Sequence, residues 1–513
     1  MDKSPSFDIY RQKFHYAVNI IGLLFLFVGL CTSNFMLSVG SGTLGVNWLI
    51  SGEWPRKWQI IKTDKHLWAL LFLYFVFIIG QLPAQFQDKG IGMLNTKLAM
   101  LYMPLVIATN RIKLNHIRNL AEFYAYLVAL TTLWAWHNLL FNHLEIRQIY
   151  PFCWHISYGL QMCVCSIICF SLRLKGVYKS RQHNLILTII GLYMIVCMVA
   201  FEKYTALVAG SATLIIWLLY YVFKNCSRTM RVAVPIIILA LFSTVGCLLY
   251  ISANRYFTPR FDSESKHQLT TAHGNPYTFD TTSMVECGQY IDVYVCKSEL
   301  QQAWAERSSK EYTKVSSTLI RYLNSKGFFK DYKAVMALTD DEIHDIENGI
   351  ANARYASPFG RIYVTFFELN DMQHVEGKSF VFRLYCWKLA CKLIANHPLT
   401  GYGCGTATKV FLEEQQKCGI KKPLPVPHQQ YLEDAMTFGI PIAIIIWGVY
   451  IYLIHFGIKR DNPILSLSMF MLMLTLCVEG NNYQFASVLF AIVTSVFSYH
   501  NITDSNPDEQ HIQ

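Results

Sequence analysis

Twelve blocks of mostly apolar residues, separated by short charged segments, run through this 513-residue chain. A helix needs about 20 apolar residues to cross the hydrocarbon core of a bilayer, with about 17 as a lower bound. Clear blocks cover 15–31, 67–84, 121–140, 156–172, 185–201, 205–223, 232–253, 433–456, 463–479 and 485–500. Two more, over 33–50 and 96–110, are shorter or interrupted by glycine. In lipid only a helix satisfies every backbone polar group within one segment, so each block is predicted to be a helix. Charged residues make up 15% of the chain, against roughly 25% in soluble proteins. A soluble enzyme, a disordered scaffold and a nucleic-acid-binding module are thereby excluded, in spite of the formal net charge of +10.

Positive charge orients the blocks. With the first residue in the cytoplasm and twelve alternating spans, segments 1–14, 51–66, 111–120, 173–184, 224–231 and 458–462 hold nineteen Lys and Arg. The short segments on the other side hold only Lys89, Arg147 and Lys203. This is the positive-inside asymmetry, and omitting either weak block destroys it. Arg11 and Lys13 ahead of an apolar run also fit a signal peptide. No small-residue cleavage site follows, however, so a first transmembrane helix is the better reading. Residues 254–432 form a long segment on the outer side, and its 21 Lys and Arg do not count against this, because long loops follow the charge rule poorly. Two or three short amphipathic helices are predicted between Thr313 and Asn352, one of them opened by Thr339-Asp340-Asp341-Glu342 in the manner of a capping box. Another is predicted from Phe380 to Ile394. The expected fold is an all-α polytopic membrane protein of about twelve transmembrane helices. Nine helices lie in 1–253, a mostly helical outer domain in 254–432, three helices in 433–500 and a cytoplasmic tail in 501–513.

Many of the 15 cysteines fall inside the blocks, where they act as small apolar residues. Cys287 and Cys296 lie in the outer segment, where they either close a short disulfide or stay as free thiols. Cys404 and Cys418 are a weaker pair of the same kind. Zinc-ligand spacing, a CxxC pair, a Walker loop and a dinucleotide fingerprint do not occur in the sequence, so metal, redox and nucleotide chemistry lack their usual signals.

Residues that carry chemistry concentrate at the end of the outer segment. Arg383 and Trp387 are one helical turn apart, and then come Pro398, Gly401, Gly403 and Gly405. Alternate glycines allow tight turns and close backbone approach, yet an ordinary loop turn has the same composition. His428-Gln429-Gln430-Tyr431 stands immediately before an apolar block, followed by Gly439. A histidine at that boundary exchanges its proton near neutral pH, which suits a general base, and it suits equally an anchor for the helix end. Arg383 beside Trp387 fits a snorkelling cation next to an interfacial aromatic. Glu202 and Lys203 occupy the minimal turn between two blocks, where charges either serve a function or anchor helix ends.

These residues together resemble the O-antigen ligase and polymerase superfamily, especially its Bacteroidetes-like versions. That superfamily carries an Arg-x-x-x-Trp helix, a Pro-x-x-Gly-x-Gly turn, a His-Asn/Ser/Gln pair, and Gly-x-x-Gly/Thr/Tyr nine residues later. The matching positions here are Arg383 and Trp387, then Pro398, Gly401 and Gly403, then His428-Gln429, then Gly439, with Ile442 departing from the closing position. Thr318 to Leu323, Lys330-Asp331 and Glu347 to Ile350 also look like the outer domain of those relatives. The resemblance implies a fold like that of C-type glycosyltransferases, in the bacterial inner membrane with the active site facing the periplasm. It implies transfer of a glycan from undecaprenyl diphosphate to a lipid A-core hydroxyl or a growing glycan. By the same resemblance His428 is the base, while Arg383 and Lys203 clamp the diphosphate, with Lys203 or Tyr204 at the family's basic position. Trp387, Gly401, Gly403, Gln429, Tyr431 and Gly439 are expected to support the site. No cofactor is expected. The first outer connection, Cys31-Thr32-Ser33, has no carboxylate, so protein cations and not a metal ion are expected to neutralise the leaving group. Ligation, repeat-unit polymerisation and transfer to protein share this chemistry. A lipid-linked glycan flippase or secondary transporter is the reading from another class, disfavoured because the two halves show no repeat.

Overall fold

The computed structural model describes residues 5–82, 88–110, 112–142, 144, 148–153, 155–259, 269–327, 329–356, 360–370, 379–479 and 484–504. Helices occupy all twelve apolar blocks. Seven helices among the described residues are long and apolar enough to cross a membrane, namely Ile9–Thr32, Gly90–Thr109, Ile156–Leu174, Arg181–Ala200, Tyr204–Asn225, Arg228–Phe257 and Ile440–Lys459. The 27-residue helix Leu114–Leu140 covers block 121–140, and Asn34–Ile50, Lys65–Ile79, Pro463–Leu476 and Gln484–Tyr499 lie in the remaining blocks. The chain is an all-α polytopic membrane protein.

It divides into two compact units, Met1–Lys224 with Cys386–Gln513, and Asn225–Tyr385. In the first unit the helices share a core that includes Phe27, Tyr124, Ile168, Met469 and Phe497. The Arg181–Ala200 helix shows how lipid completes this packing. It buries Leu187, Gly191, Met194, Cys197 and Met198, while Leu185, Ile189, Leu192, Val196 and Val199 are exposed. A helix apolar all round belongs in a bilayer, where acyl chains cover the second face. Two apolar blocks depart from a single helix: residues 96–110 fall on Asp88–Lys97 and Ala99–Thr109, parted at Leu98. Residues 433–456 fall on two helices, Gln430–Phe438 and Ile440–Lys459, broken at Gly439.

In the second unit the Arg228–Phe257 helix buries only Tyr256 of its 30 residues. Residues 269–356 of this unit hold the expected short helices, Tyr312–Lys326, Tyr332–Met336 and Asp340–Glu347, together with Lys297–Arg307. Trp304, Leu319, Leu323, Val335 and Ile346 form its core. The capping box at Thr339 and Glu342 is made in both directions. Asp340 pairs with Arg307 at 2.8 Å and Glu342 with Lys326 at 2.5 Å, so these acids serve the helix start and the packing of the domain. Four short strands were not foreseen: Thr278–Phe279 pairs with Val293–Val295, and Val285–Glu286 with Gln289–Tyr290.

The Cys287–Cys296 bridge is not formed in the structure, and the two hairpins explain why. Cys287 and Gly288 make the tight turn of one ladder, at φ +56° and +80°, and the Cys287 thiol takes a hydrogen bond from Asn352 Nδ2 at 3.3 Å. Cys296 lies beyond a strand of the other ladder, buried as the N-cap of Lys297–Arg307. Cys404 is buried and Cys418 exposed, and these too are free. Alkylation of the denatured, unreduced protein followed by peptide mapping is expected to find Cys287 and Cys296 labelled as free thiols. Recovery of a linked peptide pair would reverse this assignment.

Glu286 is the electrostatic centre of this domain. It is fully buried, receives Arg321 Nε at 2.8 Å and Nη2 at 3.2 Å, and accepts from Asn352 Nδ2 at 2.9 Å. Removing one member of such a pair strands the other charge in a poorly solvated place, at a cost of roughly 3–5 kcal/mol. Glu286→Ala is therefore expected to unfold this domain selectively. Limited proteolysis within 269–356 checks it, and a cleavage rate equal to that of the wild type would contradict it.

Candidate functional site

The turn after Pro398 forms because its glycines take backbone angles that side chains resist. The φ values are +63° at Gly401, +81° at Gly403 and +82° at Gly405. The turn then bonds, backbone to backbone, with the helix break at Gly439. Tyr402 N donates to Met436 O at 2.9 Å, Gly403 N to Thr437 O at 2.8 Å, and Ile440 N to Pro398 O at 2.8 Å. Cys404 N donates to Gly80 O at 2.8 Å, which draws in the end of the Lys65–Ile79 helix. Approach this close requires bare backbone. A Cβ on Gly401 would sit 2.4 Å from Thr437 O, and one on Gly439 2.3 Å from Leu399 O.

His428 precedes Gln429, the N-cap of the short Gln430–Phe438 helix that ends at this knot. Its own φ is +54°, a left-handed value that histidine tolerates better than most residues. The half-buried ring places Nδ1 3.5 Å from Glu479 Oε2. Glu479 itself is buried, three residues beyond the Pro463–Leu476 helix. Tyr431 fixes the spacing between the two: its hydroxyl donates to Met473 O at 2.8 Å, and its ring packs edge-on against Trp447. A carboxylate at Nδ1 favours the tautomer protonated there and leaves a lone pair on Nε2.

The Gln430–Phe438 helix also carries two members of a group of buried charges. Lys97, Glu433 and Asp434 are all nearly inaccessible, and Lys97 feels both carboxylates. Gln430 Nε2 donates to Asp434 Oδ1 at 2.7 Å, so the residue two after His428 is tied to this group along its own helix. The carboxylate of Glu479 and this charged group escaped the sequence reading. Their signal was present, as ionisable residues within apolar blocks, which are costly unless paired or used.

The other expected site residues fall in three places. Gln429 and Trp387 carry the buried atoms Oε1 and Nε1, which have no hydrogen-bond partner among the described residues. Lys203 is buried in the turn between Arg181–Ala200 and Tyr204–Asn225, its Nζ 6.0 Å from the centre of the Tyr158 ring. It makes no hydrogen bond or ion pair with His428. Burial lowers its ammonium to about 8, against the opposing pull of Cys153 and Glu202. Arg383 shares the Ser379–Asn396 helix with Trp387, four residues away and on the same face. It belongs to the Asn225–Tyr385 unit.

A family model described as O-antigen ligase matches residues 334–448. That stretch of the chain is similar to the O-antigen ligase family. Arg383, Trp387, the glycine turn, His428, Gln429 and Gly439 all lie inside that match, whereas Lys203 and Glu479 lie outside it. Members of the O-antigen ligase family are glycosyl-transferring membrane ligases. A comparison with curated proteins found no match.

Proposed function

We propose that this protein transfers a glycan from undecaprenyl diphosphate to a hydroxyl of lipid A-core, at the periplasmic face of the bacterial inner membrane. The observation that carries the reading is the His428–Glu479 pair, held at 3.5 Å, with His428 and the neighbouring glycine-built turn inside the stretch that matches the O-antigen ligase family. In the reaction His428 Nε2 takes the proton of the acceptor hydroxyl as its oxygen bonds to the anomeric carbon. The bond from that carbon to the diphosphate breaks, and undecaprenyl diphosphate leaves with the negative charge. Glu479 holds the imidazole in the receptive tautomer and stabilises the imidazolium. Arg383 and Lys203 are the cations assigned to the diphosphate, Arg383 through paired charge-assisted bonds. The unsatisfied Gln429 Oε1 and Trp387 Nε1 are groups for sugar hydroxyls and ring oxygens to satisfy.

Deleting the gene and resolving surface polysaccharide on a gel tests the acceptor. Polymer accumulating on its lipid carrier, with no long chains on lipid A-core, is expected. Single repeats left on the core would instead mean polymerase, and intact lipopolysaccharide with missing glycoprotein would mean protein glycosylation. In a purified reaction, chelation is expected to leave transfer unchanged, because protein cations neutralise the leaving group. Inhibition reversed by magnesium would refute that.

Lys203 adds a pH dependence. Its ammonium is lowered to about 8, so the charge is complete below that value and is lost as pH rises through it. KM for the donor is expected to climb above pH 8 in the wild type, and Lys203→Arg is expected to remove the climb. Identical profiles in the two proteins would dismiss Lys203 from donor binding.

A further inference from the structure

A cavity of about 650 Å³ in the Met1–Lys224/Cys386–Gln513 unit gathers residues of the segments that carry the cytoplasmic charge pattern. Arg11, Lys13, Arg56, Lys57 and Lys113 line it, and Glu53 is the one carboxylate among its described lining residues. Glu53 is spoken for by Arg56, at 2.7 Å. Neutral groups also hold these cations in place. Arg11 donates to Ser51 O at 3.3 Å and Arg56 to Thr109 O at 2.9 Å. Lys57 is nearly inaccessible, donates to Ser51 Oγ at 2.7 Å, and sits about 5 Å from the centres of the Trp48 and Trp54 rings. Lys13 and Lys113 have no ion-pair partner among the described residues.

The positive-inside tendency puts cations in loops. It does not bury a lysine or converge five cations from two helices and the cap of a third on one hollow. Four cations remain without a counter-charge, which calls for an anion. The Trp54–Thr63 helix says where that anion comes from. It is amphipathic, starts with a proline, and exposes Trp54 and Trp58 at 44% and 56%. Indole rings of that kind settle at the level of lipid headgroups, and Lys62 covers one of them at 5.2 Å. Basic pockets between transmembrane helices at this depth take phosphate-bearing headgroups.

We infer that this cavity binds the headgroup of an anionic phospholipid, with the two phosphates of a cardiolipin-type lipid answering its surplus of positive charge. The site is independent of the transfer reaction and uses none of its residues.

The full chain, purified in an uncharged detergent, would be mixed with cardiolipin, phosphatidylcholine or inorganic phosphate, and retention followed by native mass spectrometry with thermal shift alongside. Cardiolipin is expected to stay bound and raise the melting temperature, and phosphatidylcholine is not. The Lys13→Gln/Lys113→Gln variant leaves the packing contacts of Arg11, Arg56 and Lys57 intact. It is expected to weaken cardiolipin binding by roughly 30-fold, from the effect of two juxtamembrane cations. Lys179→Gln/Arg181→Gln, which removes two basic residues that do not line this cavity, is expected to bind as the wild type does. Equal losses in both double variants would reduce the effect to general surface charge and overturn the site. Inorganic phosphate stabilising as strongly as cardiolipin would overturn the lipid source, as would equal retention of phosphatidylcholine.

Discussion

His428→Ala is expected to cut the transfer rate by ~10²–10⁴-fold, the usual contribution of a positioned general base. Protein level in the membrane is expected to stay unchanged, because the ring is half-buried and its side chain makes one long polar contact. Glu479→Gln keeps the shape of the partner and removes its charge. About a 10–100-fold loss is expected there, the common effect of removing the group that orients an imidazole. The double variant should be no slower than His428→Ala alone, since Glu479 acts through the ring. Rates measured with purified protein and a lipid-linked donor decide it. Near-wild-type transfer by the alanine variant removes the base assignment, and additive losses remove the coupling.

The second large effect is expected at Gly439. Its φ of +82° and ψ of +161° lie in a region essentially reserved for glycine. Forcing an alanine there costs on the order of 1–3 kcal/mol in backbone strain alone. The added Cβ would also stand 2.3 Å from Leu399 O, in the middle of the hydrogen bonds between the Pro398 turn and the helix break. Gly439→Ala is therefore expected to abolish activity and lower the melting temperature. Gly448→Ala is the matched control, because a Cβ at that position meets nothing within 4 Å. It should be neutral or slightly stabilising, as glycine-to-alanine changes inside a helix commonly are. Equal melting temperatures for the two variants would show that the knot does not depend on bare backbone at 439.

Much of this architecture could be read from the residues in order. Apolar run length located the helices of every block, since in lipid hydrophobicity and helix formation are nearly the same requirement. Thr339 to Glu342 announced a capping box because that signal spans only four residues. Where the reading stopped, distance along the chain was the cause. Glu479 stands fifty-one residues from His428 and looks like the end of an apolar block until folding brings the two together. Lys97 looks like a flaw in a weak span until it meets Glu433 and Asp434. The Cys287 and Cys296 pairing failed for the opposite reason. Nearness in sequence suggested contact, but the strands after Phe279 sort the two thiols onto separate ladders.

The left-handed backbone at position 428 has a bearing on how substitutions there are interpreted. Alanine at φ +54° removes the imidazole and also installs a residue that dislikes that conformation, so one variant merges two losses. Asparagine is content in the same conformation and cannot accept a proton at neutral pH. A set of three substitutions follows: asparagine and glycine both remove the ring while tolerating this conformation, and alanine adds the conformational loss to the missing ring. Agreement between the asparagine and alanine rates would assign nearly the whole deficit to the missing ring, leaving the peptide geometry as scaffolding already built into the chain.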